Sequence, residues 1–478
     1  PPRPSRDRAM NRLTNRIDTN ADGWDGPGGP QDLFFAKDEA FHYPRIARTD
    51  DIYLFEENGN RLIDISSGPV ASNLGHNNAR VVKAIQDQVA KLPFVTNRTG
   101  RTNENIELAA KLAALAGEGY ERSFYVSGGS EAVETAIQFA RQWAWANGEK
   151  ERTKLFSLMP SYHGGTVTAL ALSGDEAVEP IYKEMAVMPE RIPAPLSYRA
   201  PAGLSHEENE ALILKLFEDR VIELGSEKCL AIFLEPVGGL ASGCNVLSQA
   251  FVSGVRQICD RHGMMMIFDE VMSGAGRTGA FLTAHFHPDA KPDLVVLAKG
   301  IGSGYIPLGI MLAPASKVDR LRELTGFNYG HTSNTNPLAC AVGIATVEEL
   351  TSRKLVENAA ETGAYMKERL WGLADRYPVI GDVRGLGFLL APEIVCDREN
   401  KTTFSAEAKA PDTIRQLGFE HGLSIYARRT NNGKFGDWIM TSPPLTTTRT
   451  QVDEMIDCLD QTLKAFVDRM TLEGHRIA

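Results

Sequence analysis

Lys299 and Asp269 carry the clearest chemistry in the chain. Lys299 closes the apolar run Leu294-Val295-Val296-Leu297-Ala298 and opens the glycine-rich turn Gly300-Ile301-Gly302-Ser303-Gly304. An ammonium at the end of a buried strand is costly unless it is paired or neutralised. Desolvation lowers a lysine's pKa and frees its amine to form a Schiff base with an aldehyde. Thirty positions earlier, Met264 to Phe268 reads as a second buried strand and delivers Asp269-Glu270. A lysine that holds an aldehyde and an acid that keeps a pyridine nitrogen protonated are the pair that pyridoxal phosphate (PLP) chemistry requires.

Three more turns lie where strands would end. Ser127-Gly128-Gly129-Ser130-Glu131 follows one apolar run and opens a helix. Its glycines let the backbone approach a ligand, and a helix N-terminus offers free N–H groups to an anion. The same segment also reads as a plain helix cap with Ser130 at the N-cap. It lacks the lysine of a P-loop and the spacing of a dinucleotide fingerprint, which disfavours a nucleotide. In Ser161-Tyr162-His163-Gly164-Gly165, Tyr162 can stack on a flat heteroaromatic ring. His163 reads either as a structural histidine or as a catalytic one. Glu235 follows the run Leu230 to Leu234 and Glu270 follows Asp269, placing carboxylates at the carboxyl edge of a parallel sheet, the usual ligand crevice. The other reading of Glu235 is a surface carboxylate. Arg277, in Gly276-Arg277-Thr278-Gly279, reads as a structural residue that pairs with an acid to pin its loop.

These residues converge only if parallel strands carry them. Strand signals fall at Phe124 to Val126, Lys154 to Leu158, Leu230 to Leu234, Met264 to Phe268, Leu294 to Leu297 and Ile310 to Ala313. Helical patterns fall between them at Ala132 to Ala146, Glu207 to Leu224 and Gln249 to His262. That alternation predicts an α/β fold with helices on both faces of a parallel sheet. Upstream, Ile52 to Phe55 reads as a strand, followed by helices over Asn78 to Leu92 and Asn105 to Leu115. After Asn336-Pro337 long helices at Pro337 to Thr351, Lys354 to Ala374 and Thr450 to Met470 enclose short strands such as Val383 to Leu390, which predicts a smaller α+β part. Residues 1 to 30 are polar and are expected to be loosely held.

Composition narrows the partners. The 478 residues suffice for two or three domains around a large core. With 43% hydrophobic and 23% charged residues the chain is an ordinary soluble one. A net charge of -10 argues against nucleic acid as the main partner and leaves small molecules. No apolar run approaches the roughly 20 residues of a membrane span. Pro1 to Asn11 lack the apolar core of a signal peptide, and Met10 offers a natural start. Six scattered cysteines without a C-x-x-C pair fit reduced thiols and a cytoplasmic location.

Asp269-Glu270-Val271, Gly276-Arg277-Thr278-Gly279 and Ala298-Lys299-Gly300, in that order, resemble the signature of the class III PLP-dependent aminotransferases. With Ile63-Asp64, Gly68, Leu74-Gly75-His76, Gly330-His331-Thr332 and Asn336-Pro337, the resemblance spans Leu33 to Lys464. It implies the PLP-dependent transferase fold type I, with a mostly parallel seven-stranded sheet between helices in a large domain and a smaller α+β domain. The expected division is 1–77 for an N-terminal segment, 78–336 for the large PLP-binding domain and 337–478 for the small domain. Lys299 would anchor the cofactor and act as general acid and base, and Asp269 would hold the ring-nitrogen proton. Gly129 and Ser130, beside Ser127, would bind the phosphate; Tyr162 would stack on the ring, with His163 and Val271 around it. Thr332 would reach the phosphate of a neighbouring subunit, so a homodimer or dimer of dimers with shared sites is expected. Glu235 matches a glutamate that pairs with a mobile arginine, which binds a substrate carboxylate when it swings in. Phe35, with Leu33 and Phe34, is expected to line the amine pocket.

Two departures sharpen the branch. Met272 stands where the GABA and ornithine branches carry a cofactor-contacting glutamine, so the sequence resembles the ω-amino acid and amine:pyruvate branch more closely. The usual place of the mobile arginine, counted from Gly422, holds Tyr426; Arg428 is the favoured carboxylate binder, the other reading being that Arg428 and Arg429 are solvated loop charges. The expected reaction is ping-pong transfer of an amino group from an ω-amino acid or primary amine donor to a keto acid acceptor, pyruvate first. Aminomutase, decarboxylase or racemase chemistry is the nearer alternative, and a non-enzymatic nucleotide-binding protein the distant one.

Overall fold

Runs such as Cys229–Leu234, Met265–Asp269 and Leu294–Leu297 are buried along their whole length, which is why they lack the polar alternation of a sheet with one wet face. The computed structural model describes residues 43–176 and 179–478. Phe35, Leu33, Phe34 and the polar stretch 1 to 30 lie outside the described residues. A first small sheet is formed by β1 (Ile46–Asp50), β2 (Tyr53–Glu56) and β3 (Arg61–Asp64). The large sheet uses β4 (Arg122–Val126), β5 (Lys154–Met159), β6 (Glu190–Pro193), β7 (Cys229–Leu234), β8 (Met265–Asp269), β9 (Leu294–Leu297) and β10 (Gly309–Ala313). Its order is β4-β10-β9-β8-β7-β5-β6. β10 pairs antiparallel with both β4 and β9, and the remaining pairings are parallel. The sheet is therefore the mostly parallel seven-stranded one expected. β6, Glu-Arg-Ile-Pro, gave no strand signal of its own; it sits at the edge, where a proline and two charges are tolerated.

A third sheet is built from β11 (Ile380–Leu386) and β12 (Leu389–Ile394). β13 (Leu423–Ser424) instead joins β3 in parallel in the first sheet, and β14 (Tyr426–Arg429) and β15 (Asp437–Met440) complete the third in the order β11-β12-β15-β14. The single strand expected over Val383 to Leu390 is in fact a hairpin, closed at Gly387, whose φ of 55° is a glycine conformation. Helix limits follow local chemistry. Gln249–His262 starts at Ser248, whose side chain accepts from the Phe251 N–H, and stops at Gly263 in the left-handed region. Pro337–Ser352 starts with Asn336 as cap and Pro337 at the first position. Residues 44–478 form one compact unit. Among the described residues no helix is long and apolar enough to cross a membrane.

Candidate active site

Parallel strands deliver their following residues to one edge, and that edge holds a cavity of about 390 Å³. Ser127, Gly129 and Ser130 line it after β4, Tyr162 and His163 after β5, Glu235 after β7, Asp269 and Val271 at β8, and Lys299 after β9. Nine residues proposed from sequence thus meet in one space. Ala71, Leu240 and the Ile306 to Leu308 stretch complete its walls and carried no sequence signal, being ordinary apolar loop residues.

Asp269 is held from two sides. The Val271 N–H donates to its Oδ1 at 3.0 Å, and His163 Nδ1 lies 2.8 Å from its Oδ2. The His163 side chain is fully buried, its backbone N–H donates to Ser173 Oγ at 2.8 Å, and its ring edge meets Phe233. His163 therefore orients the carboxylate. Glu270 does not face the cavity. Alternation sends it to the opposite side of β8, where it accepts the N–H groups of Thr283 (2.6 Å) and Ala284 (2.8 Å), and burial pushes it up to about 7.

Lys299 follows the extended Ala298 with a φ of 46°, a left-handed conformation rare for a lysine and typical of strained functional turns. Burial pushes its ammonium down to about 8; Asp269 and Glu235 pull the other way, and Arg277 adds to the lowering. Glu235 accepts the Tyr162 N–H at 2.9 Å and the Gly239 N–H at 3.0 Å, and burial pushes its carboxyl up. A Cβ at Gly239 would lie 2.5 Å from Met272 Sδ, so glycine lets the methionine close over this side of the cavity.

The turn before the helix Gly129–Ala146 corrects one reading. Its N-cap is Gly128, not Ser130, and no side chain caps it. Ser130 Oγ instead accepts the Gly165 N–H at 2.9 Å. The first amides of an eighteen-residue helix therefore lack a side-chain acceptor and face the cavity. A Cβ at Gly129 would press on Val271 Cγ1 at 2.9 Å, so the turn is a cradle only glycine leaves open.

Arg428 does not line the cavity. It lies on β14, and its Nη2 is 3.0 Å from Asp175 Oδ2; it is also the strongest charge acting on the Tyr162 hydroxyl, opposing the rise that burial causes. Arg429 pairs with Asp437 at 2.8 Å. Both arginines are thus paired rather than solvated loop charges. No arginine pairs with Glu235 among the described residues. Thr332 lies in a separate cavity of about 410 Å³ with Thr96, Arg98, Tyr329, His331 and Asn334.

The sequence profile of aminotransferase class-III matches residues 34–463. The chain belongs to the class III aminotransferases. This class III chain is 30% identical to the putrescine–pyruvate aminotransferase of Pseudomonas aeruginosa, over 88% of its length and 91% of that protein. It is 30% identical to the adenosylmethionine-8-amino-7-oxononanoate aminotransferase of Geobacter sulfurreducens, over 87% and 91%. Its fold matches the PLP-bound amine transaminase of an uncultivated Pseudomonas species with a TM-score of 0.84 at 31% identity, covering 91% of this chain and 99% of that one. It is therefore an enzyme, a transaminase of fold type I, and its cofactor is PLP. The non-enzymatic nucleotide-binding reading falls. The donor set fits the cofactor: uncapped helix amides for a phosphate, a buried acid for a ring nitrogen and a lysine of lowered pKa for an aldehyde.

Proposed function

We propose that this aminotransferase moves an amino group from an ω-amino acid or primary amine to a keto acid, pyruvate first, in two half-reactions. The observation that carries the reading is the wall beyond the ring site. Ala71, Leu240, Met272 and Ile306 to Leu308 give it an apolar lining, while Arg428 is tied to Asp175. Such a wall takes an uncharged amine side chain, and release of Arg428 from Asp175 would serve the carboxylate of the keto acid. Likeness to a putrescine–pyruvate aminotransferase and to an amine transaminase supports the same donor class.

When bound, PLP supplies an aldehyde that captures the amine and a ring that spreads the electron pair left on the substrate carbon. Lys299 anchors it and, once free, moves the proton at the substrate carbon; a pKa near 8 suits that exchange. Asp269, fixed by His163 and the Val271 N–H, holds the proton on the ring nitrogen. Gly129, Ser130 and the helix amides, beside Ser127, take the phosphate, and Tyr162 and Val271 enclose the ring. Thr332 serves the site of a second copy in a homodimer or dimer of dimers.

The visible spectrum of the holoenzyme tests the donor class. An excess of an amine without a carboxylate should remove the cofactor's visible band, and pyruvate should restore it. A band stable to that amine but lost with an amino acid would overturn the uncharged-donor reading.

A further inference from the structure

Arg277 is fully buried, yet no carboxylate lies within ion-pair reach of it among the described residues. A buried guanidinium ordinarily has an acid beside it, because an uncompensated charge there is expensive. Here the acceptors are neutral and come from three distant segments. Nη1 donates to the carbonyls of Phe388 (3.3 Å), Ser442 (3.2 Å) and Pro443; Nη2 donates to Asn73 Oδ1 (2.5 Å) and lies 3.5 Å from Ser67 Oγ. Nε has no acceptor. The expectation that Arg277 pins its loop by pairing with an acid is therefore half corrected: it pins three segments, without one.

We propose that Arg277 is a positioning residue for the reaction: a buried cation, ion-paired to no carboxylate, that clamps the Ser67–Asn73 strap over the Lys299 turn and whose charge acts on Lys299. The inference rests on Lys299 as the cofactor anchor. The strap is the physical link. Asn73 Nδ2 donates to the Ala275 carbonyl at 2.9 Å, and a Cβ at Gly300 would meet that same Nδ2 at 2.2 Å, so the amide lies flat on the backbone next to Lys299. Leu74 N–H donates to Ser303 Oγ at 2.8 Å, and Ala71, in the same strap, lines the cavity. Electrostatics agree with the geometry. The charges facing Lys299 are Asp269, Glu235 and Arg277, of which Arg277 alone pushes its pKa down. Those facing Arg277 are Asp64 and Cys244, besides Lys299 itself. Asp64 accepts the Gly68 amide at 2.9 Å and lies 3.4 Å from His76; its field reaches Arg277, but it makes no ion pair with the guanidinium.

The test is a pH titration of the holoenzyme's visible band in R277M, R277K and N73D. R277M removes the charge and should move the midpoint upward, while R277K keeps it and should stay near wild type. N73D sets a carboxylate beside the guanidinium at the cost of the Nδ2 donation to the Ala275 carbonyl and should also raise the midpoint; R277Q, which removes the charge but keeps amide donors in the pocket, reads the same shift should R277M fail to fold. Faster hydrogen exchange over residues 66–75 in R277K is expected, since one ammonium cannot reach all five acceptors. A wild-type band that titrates, with midpoints unmoved in N73D and R277M and only melting temperatures lowered, overturns the inference and leaves the cofactor reading intact. A wild-type holoenzyme without a pH-dependent band overturns both.

Discussion

Lys299 is a destabilising residue in the cofactor-free protein, and that makes its role measurable without turnover. In the folded chain burial pushes its pKa down to about 8, from the ordinary lysine value of 10.5. Between these values the unfolded chain binds more protons, so stability rises with pH across the window. Below about pH 8 the buried ammonium costs the full amount, on the order of 3 kcal/mol. Cofactor-free Lys299→Met should therefore melt about 3 °C above wild type at pH 7 and lose that advantage by about pH 10.5. Scanning calorimetry at both pH values decides it, and equal melting temperatures at pH 7 would show that the ammonium is not strained. Lys299 and Asp269 were legible in the sequence because each ends an apolar run. Glu270 was not, because one step along a strand reverses the side chain, and nothing in Asp-Glu says which residue faces the crevice. Asp175 was equally silent: its meaning comes from Arg428, 253 positions away.

Elements place these residues, and the tightest placement is between β10 and the phosphate cradle. A Cβ at Gly309 would lie 2.1 Å from the Gly128 carbonyl oxygen, a backbone atom that cannot rotate away. Gly309→Ala must displace the turn that starts the helix Gly129–Ala146, which is the turn proposed to hold the phosphate. PLP affinity should fall at least about tenfold, the loss of roughly 1.4 kcal/mol. Recovery of the visible band against added PLP, after the cofactor is stripped, measures it. Gly372→Ala, in the helix Leu355–Arg376 with open space around it, should leave affinity unchanged and raise stability by up to about 1 kcal/mol. Equal affinity in both variants would remove β10 from the argument. The sheet itself was readable from runs like Cys-Leu-Ala-Ile-Phe-Leu, which only a doubly covered strand explains. The β11–β12 hairpin was not, because its turn glycine is fixed by packing: a Cβ at Gly387 would lie 2.6 Å from the Arg277 carbonyl.

At the scale of the molecule, Thr332 stands apart from the residues it would serve. It shares its cavity with Arg98 and His331 and is absent from the walls around Lys299. Val89 and Phe94, on the chain leading into that second cavity, keep large apolar side chains exposed, as surfaces that meet another molecule do. Both facts are accounted for if Thr332 completes the phosphate site of a second copy, and the arrangement has a consequence no monomer can mimic. Lys299→Ala removes the anchor from a subunit's own site; Thr332→Val removes a phosphate contact from its neighbour's. Homodimers of either variant carry two impaired sites. A mixed dimer carries one site with both lesions and one with neither. Mixing the two variants under conditions that allow exchange should therefore restore up to about half of wild-type activity and of tightly held PLP in each mixed dimer, against little in either alone. Cross-linking identifies the mixed species independently. If mixed dimers form and show no recovery, Thr332 acts within its own subunit, and the cavity beside Arg98 needs another occupant.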